Sequence, residues 1–235
     1  MGIRYVLFDL DGTLLPMDQD LFVKAYVKGL ATKMAPYGFD PKTIGDGLWA
    51  GTGAMMKTDG SLRNDELFWK VFQSIVGPFG EEHFAAVDDF YLNEFQSVRE
   101  VCGFSPRAAE VVAKVKERGF IPVLATNPLF PRLATESRIR WAGLEPEDFA
   151  YFTVYDNAHF CKPNVAYYEE VLRAIDADPS ECVMIGNDAK EDTAVTALGM
   201  QVFLLTDCLL NGDACDISQY PNGGFDELIA FIESL

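Results

Sequence analysis

Basic residues are scarce. Nineteen lysines and arginines stand against 36 aspartates and glutamates, for a formal charge of −17 over 235 residues. DNA, RNA and anionic membrane surfaces would repel such a chain at long range, which argues against nucleic-acid and membrane-surface functions. An anionic substrate stays compatible, because a local cation reverses the potential inside one cleft. Histidine occurs only as His83 and His159, without partners at ligand spacing, and the five cysteines (Cys102, Cys161, Cys182, Cys208, Cys215) contain no C-x-x-C. That is a poor zinc pattern and a poor disulfide framework. No apolar run approaches 18 residues, so no bilayer span is expected. The N-terminus enters VLFDL with neither an h-region nor a small-residue cleavage site, so a signal peptide is not expected and a reducing cytoplasm is.

With 49% hydrophobic and 23% charged residues the composition is that of a soluble globular protein. The length suits one large domain, or a core with a smaller companion. Four short apolar runs read as buried strands: Tyr5 to Phe8, Ile121 to Ala125, Cys182 to Ile185 and Val202 to Leu205, with a weaker one at Tyr151 to Val154. Helical patterns lie between them, at 106–118 after the Ser105-Pro106 start and before the Gly119 stop, 132–141, 165–175 and 192–198. Alternation of this kind predicts a doubly wound α/β fold with a mainly parallel, Rossmann-like sheet. Residues 17 to 102 break the alternation with helical runs at 20–34, 62–75 and 81–99, and read as an all-helical insertion. Within it, residues 41–60 carry five glycines, and a helix or a loop fits equally. Residues 207–225 read as a polar surface loop before a last helix from Asp226. The division expected is a core of residues 1–16 and 103–235 and a smaller helical domain of residues 17–102, joined by linkers at 15–18 and 101–105.

The first strand ends in FDLDGT, with two acids one residue apart. Residues i and i+2 of a strand share a face about 6.6 Å apart. At that distance two carboxylates repel by roughly 2.5 kcal/mol at an effective dielectric near 20. A divalent cation removes the conflict. Ligands of open α/β sheets bind at the carboxyl ends of the strands, and the later strand ends carry Thr126-Asn127 and Gly186-Asn187-Asp188, with Asp192 following and Lys162 in a loop before a helix. Each group alone has a plainer reading as a cap or a solvated charge. Together they form a set suited to phosphoryl transfer, with a carboxylate nucleophile, a second acid for proton transfer, and magnesium plus a lysine to neutralise phosphoryl oxygens.

These residues resemble the haloacid dehalogenase superfamily. The likeness rests on DLDGTLL, ATN, the lysine of CKPN and GNDAKEDTA, in that order. It implies Asp9 as nucleophile, Asp11 as general acid/base, Thr126 and Asn127 at the phosphoryl group, and Lys162 pairing phosphate with nucleophile. It also implies magnesium held by Asp9, the Asp11 backbone carbonyl and an acid of the fourth motif, and a helical cap in the place of the insertion. The fourth motif departs from the usual G-D. Either Asp188 is the metal ligand and Asp192 supports Lys162 or a metal-bound water, or the Asn187 amide takes the ligand position; a carboxylate is the better magnesium ligand. Asp11 favours phosphate esters over carbon–halogen or carbon–phosphorus bonds, since those branches lack the second acid. The expected activity is therefore a magnesium-dependent phosphatase acting on a small phosphorylated metabolite. The alternatives are a sugar phosphomutase and a non-catalytic phosphate- or protein-binding member. Cap residues Lys57 and Arg63, and Arg132 of the core, are further candidates for the cleft. The sequence carries no signal of oligomeric state.

Overall fold

Tyr5–Phe8 (β1) is buried on every residue, and both of its edges are occupied. The computed structural model, which describes residues 2–213 and 215–235, pairs β1 in parallel with Ile121–Leu124 (β2) on one side and Cys182–Gly186 (β3) on the other. Gln201–Leu205 (β4) and the two-residue Asn222–Gly223 (β5) extend the sheet in the order β2-β1-β3-β4-β5, all parallel. Alternate strand residues feed opposite faces. Val6, Phe8, Ile185 and Phe203 pack with helices Pro106–Glu117 and Phe225–Ser234, whereas Leu7, Val123, Met184 and Leu204 pack against the tyrosine-rich helix Val165–Ile175. The strand order reverses direction between β1 and β3. That is the switch point at which such sheets open a crevice.

Between β1 and Pro106 the chain is helical: Gln19–Met34 (α1), Pro41–Met55 (α2), Asn64–Val76 (α3) and Glu81–Leu92 (α4), then a 3-10 segment Glu94–Val101. In chain order the core helices are Pro106–Glu117 (α5), Arg132–Trp141 (α6), Val165–Ile175 (α7) and Phe225–Ser234 (α8). Residues 41–55 are helical despite their glycines. Gly47 and Gly51 let α3 come close, since a Cβ on Gly47 would lie 2.5 Å from Val76 and one on Gly51 2.6 Å from Phe68. The two linkers lie side by side, with Met17 and Cys102 forming an antiparallel bridge and Gly103 N–H donating to the Pro16 carbonyl at 2.7 Å.

Three expectations need correction. Residues 151–154 add only a single parallel bridge, Leu124 to Phe152, because the Asn157 amide takes the Phe152 carbonyl and the Val154 N–H. The expected loop at 207–225 supplies β5 instead, as Leu204 and Thr206 donate to the carbonyls of Pro221 and Gly223. Residues 192–198 wind as 3-10 turns rather than α-helix, with the Thr193 and Thr196 hydroxyls bonded back to the Ala189 and Thr193 carbonyls. No described helix is long and apolar enough to cross a membrane.

Candidate active site

At the switch point a cavity of about 160 Å³ is lined by Asp9, Asp11, Thr126, Asn127, Asn187, Asp188, Glu191 and Asp192, with Met17, Gln19, Phe22 and Val23 from the insertion side. Asp9 continues β1, its N–H donating to the Ile185 carbonyl at 2.9 Å, and the chain then turns sharply. Gly12 sits at φ +90°, and a Cβ there would meet the Asn187 amide at 2.3 Å. Both conformation and space therefore demand glycine. The Thr13 hydroxyl lies 2.9 Å from Asn187 Oδ1 and 3.3 Å from Asp9 Oδ2. A hydroxyl has one proton to donate, and the shorter contact takes it. Asp9 Oδ2 is thus only weakly engaged.

Lys162 is fully buried beneath the cleft, donating to Asp9 Oδ1 at 2.9 Å and to Asp192 Oδ1 at 2.7 Å. Burial alone would discharge the ammonium, but Asp192 and Asp9 hold its pKa well above the usual lysine range. One ammonium serves two buried carboxylates. Burial accordingly raises both acids in spite of the lysine, Asp9 upward and Asp192 to about 6.

Asp11 has a partner that sequence reading missed. Its Oδ2 is ion-paired with the Arg138 guanidinium, which is 1% exposed and lies 4.5 Å from the Phe130 ring centroid and 5.9 Å from that of Phe22. Asp11 Oδ1 is buried without a protein partner. Arg138 lies on the buried side of α6 with Ala134, Thr135 and Trp141. An arginine on a buried stripe needs a counter-charge, and the nearest carboxylate in space is far off in sequence. Arg132, by contrast, stays outside: it stacks over Phe152 at 4.6 Å and pairs with Glu136. Arg63 pairs with Asp65 at the start of α3, Lys57 is exposed, and neither lines the cavity.

Thr126 is buried at the end of β2, its carbonyl taken by the Thr153 and Tyr167 hydroxyls. Asn127 donates to both oxygens of Glu191 at 3.2 and 3.1 Å, and its own Oδ1 has no partner. Glu191 is a second residue that sequence reading passed over. Burial pushes its pKa up to about 8. A carboxyl whose pKa rises on folding loses stability as pH climbs from its unfolded value, 4.5, through about 8. Glu191→Gln keeps an acceptor for Asn127. In EDTA-treated protein it is expected to gain about 1–2 kcal/mol over wild type at pH 8.5, with the gap closing toward pH 4.5. Thermal melts across that range check this, and a pH-independent difference would contradict it.

Asp188 Oδ1 accepts from the N–H groups of Lys190 and Glu191, and Oδ2 from the Asn211 amide at 2.8 Å. Asn187 is committed at both ends, with Oδ1 taking Thr13 and Nδ2 donating to the Cys208 carbonyl at 2.7 Å. The donor set of the cleft is all oxygen. Among the described residues no three His, Cys, Asp or Glu side chains form a ready cluster. An all-oxygen donor set suits magnesium, which binds through one or two carboxylates and keeps several waters, better than it suits a zinc site of cysteine and histidine. Five carboxylates, Asp9, Asp11, Asp188, Glu191 and Asp192, line this cavity with no lysine or arginine among its lining residues, and that is the feature that calls for a cation. The five cysteines are free thiols.

The family model for haloacid dehalogenase-like hydrolases matches residues 3–197. Among curated proteins none matches the chain in sequence. Solved structures share the fold at low identity. A 2-haloacid dehalogenase from Pseudomonas syringae pv. Tomato DC3000 is 20% identical with a TM-score of 0.63, covering 99% of this chain and 98% of its own. CbbY from Rhodobacter sphaeroides, in complex with phosphate, is 18% identical with a TM-score of 0.60 and 96% coverage of both chains. The HAD-hydrolase YfnB from Bacillus subtilis, bound to magnesium, is 18% identical with a TM-score of 0.57, covering 99% of this chain and 100% of its own.

Proposed function

The chain belongs to the haloacid dehalogenase-like hydrolase family, and within it we propose that it is a magnesium-dependent phosphatase of a small phosphate monoester, working through an aspartyl phosphate on Asp9. The observation that supports this reading is the division of labour on Asp9, which lines the cleft with Asp11: Lys162 occupies Oδ1, and Oδ2 has only the 3.3 Å contact with the Thr13 hydroxyl.

In this reading Asp9 Oδ2 attacks phosphorus as the bond to the leaving oxygen breaks, and Asp11 gives that oxygen a proton. Water then attacks the acyl phosphate, its proton passes to Asp11, and inorganic phosphate and free Asp9 result. Arg138 acts as a positioning residue, fixing the Asp11 carboxylate through Oδ2. Thr126 and Asn127 bind phosphoryl oxygens, and Lys162 carries the positive charge that the phosphorylated Asp9 needs. Asp192 keeps Lys162 in place. Asp9, the Asp11 carbonyl and Asp188 would hold magnesium, which when bound neutralises phosphoryl charge. Asn187 holds Thr13 and the turn after β1. The insertion serves as the cap that shields the reaction from water, and the free thiols suit a reducing cytoplasm.

Phosphate release from acetyl phosphate tests the reading. Turnover is expected with magnesium and a loss of at least about 100-fold in EDTA, restored by magnesium and not by calcium. Equal turnover with and without EDTA would refute the metal dependence.

A further inference from the structure

A second cavity, also about 160 Å³, adjoins the first, with Val23, Leu129 and Phe130 lining both. Beyond them its walls are Val27, Leu48 and Trp49. Its polar side chains are Tyr26, whose hydroxyl is engaged with Tyr91 at 2.9 Å, and Thr52. Among the described residues no lysine, arginine or carboxylate lines this second cavity. Trp49 is 62% exposed at its rim, a large apolar surface that no described residue covers. The first charges, Lys24, Lys28 and Lys42, appear only in the shallower groove on the outer side of Trp49, where Lys42 already pairs with Asp46.

Its place beside the acid-lined cleft says what this space receives. A phosphate ester bound with its phosphorus at Asp9 must send its leaving group outward. Along this route that group meets valine, leucine and aromatic rings. A sugar offers several hydroxyls to walls whose polar groups are Thr52 and an already engaged Tyr26, and a second phosphate or carboxylate finds no cation among the lining residues. We infer that the substrate is a monophosphate ester with an apolar leaving group, an alkyl or aryl chain seated between α1, α2 and the Leu129-Phe130 segment. The inference rests on the phosphatase reading and narrows it. It also weighs against an intramolecular sugar phosphomutase, whose bisphosphorylated intermediate needs a second anion site.

A homologous series of n-alkyl phosphates, from ethyl to hexyl, tests it beside acetyl phosphate and a hexose monophosphate, with the whole protein and magnesium. Each methylene is expected to raise kcat/KM about fourfold, mainly through KM, so that the hexyl ester exceeds the hexose phosphate by at least about 100-fold. Trp49→Ala and Val27→Thr are expected to flatten the slope, lowering the ratio of hexyl to ethyl ester kcat/KM by at least about threefold each. A flat or falling series alongside normal acetyl phosphate turnover would overturn the inference and leave the phosphatase reading standing. Absence of turnover of acetyl phosphate itself would remove both.

Discussion

Asp9→Asn is expected to lower phosphate release by about 10⁴-fold or more while leaving the protein at least as stable as wild type at pH 7 to 8. The first half follows from the loss of the nucleophile, without which no covalent intermediate forms. The second half follows from the sign of the titration. Burial raises the Asp9 pKa on folding, so an ionised Asp9 costs stability as pH rises past its unfolded value, and a neutral amide escapes that cost. The amide oxygen can keep the hydrogen bond from Lys162, which also retains Asp192 at 2.7 Å. Steady-state kinetics and chemical denaturation on one preparation check both. A variant that is inactive and also markedly less stable would mean that Asp9 is structural, and wild-type turnover would dispose of the aspartyl phosphate.

The second large effect concerns the pair beside it. Asp11→Ala leaves the Arg138 guanidinium buried between Phe130 and Phe22 without its counter-charge. Removing one member of a buried pair typically costs about 3–5 kcal/mol, and loss of general acid/base catalysis costs about 10²–10⁴-fold in rate. Arg138→Met alone strands a carboxylate that lines the cleft and reaches solvent. Its stability loss is therefore expected to be smaller, with a reduced kcat and a changed pH–rate profile as the Asp11 carboxylate loses its orientation. In the double variant, Asp11→Ala with Arg138→Met, stability is expected to return to within about 1 kcal/mol of wild type, because no charge is stranded, whereas activity stays as low as in Asp11→Ala. A double variant as unstable as Asp11→Ala would show that the guanidinium is not what Asp11 stabilises.

The strand ends were legible because a parallel sheet writes its site into short apolar runs followed by polar residues. Asp9, Thr126, Asn127, Asp188 and Asp192 all line one cavity, and Lys162 lies beneath it bonded to Asp9 and Asp192. Arg138 was not legible because its local company, RLATESRIRW, reads as a charged surface helix, while its partner stands 127 residues away. Glu191 looked like an ordinary acid between two motif residues, and only burial gives it a pKa near 8. The helix at residues 41–55 stayed ambiguous for a related reason. Glycine lowers local helix propensity, and what offsets this is the close approach of Phe68, Phe72 and Val76 from α3. Such compensation lies in tertiary contact, which no window of sequence contains. β5 is too short, at two residues, to leave any pattern.

The adjoining linkers carry one more consequence. Residues 17–102 leave and rejoin the sheet domain at a single doorway, framed by the Met17–Cys102 bridge and the bond from Gly103 to Pro16. A Cβ on residue 103 would stand 2.9 Å from Pro16, so the frame is narrow. Recombination that exchanged everything inside it would have to reproduce only that frame and a docking face. The acids and Lys162, all drawn from the other side of the doorway, would pass through unaltered.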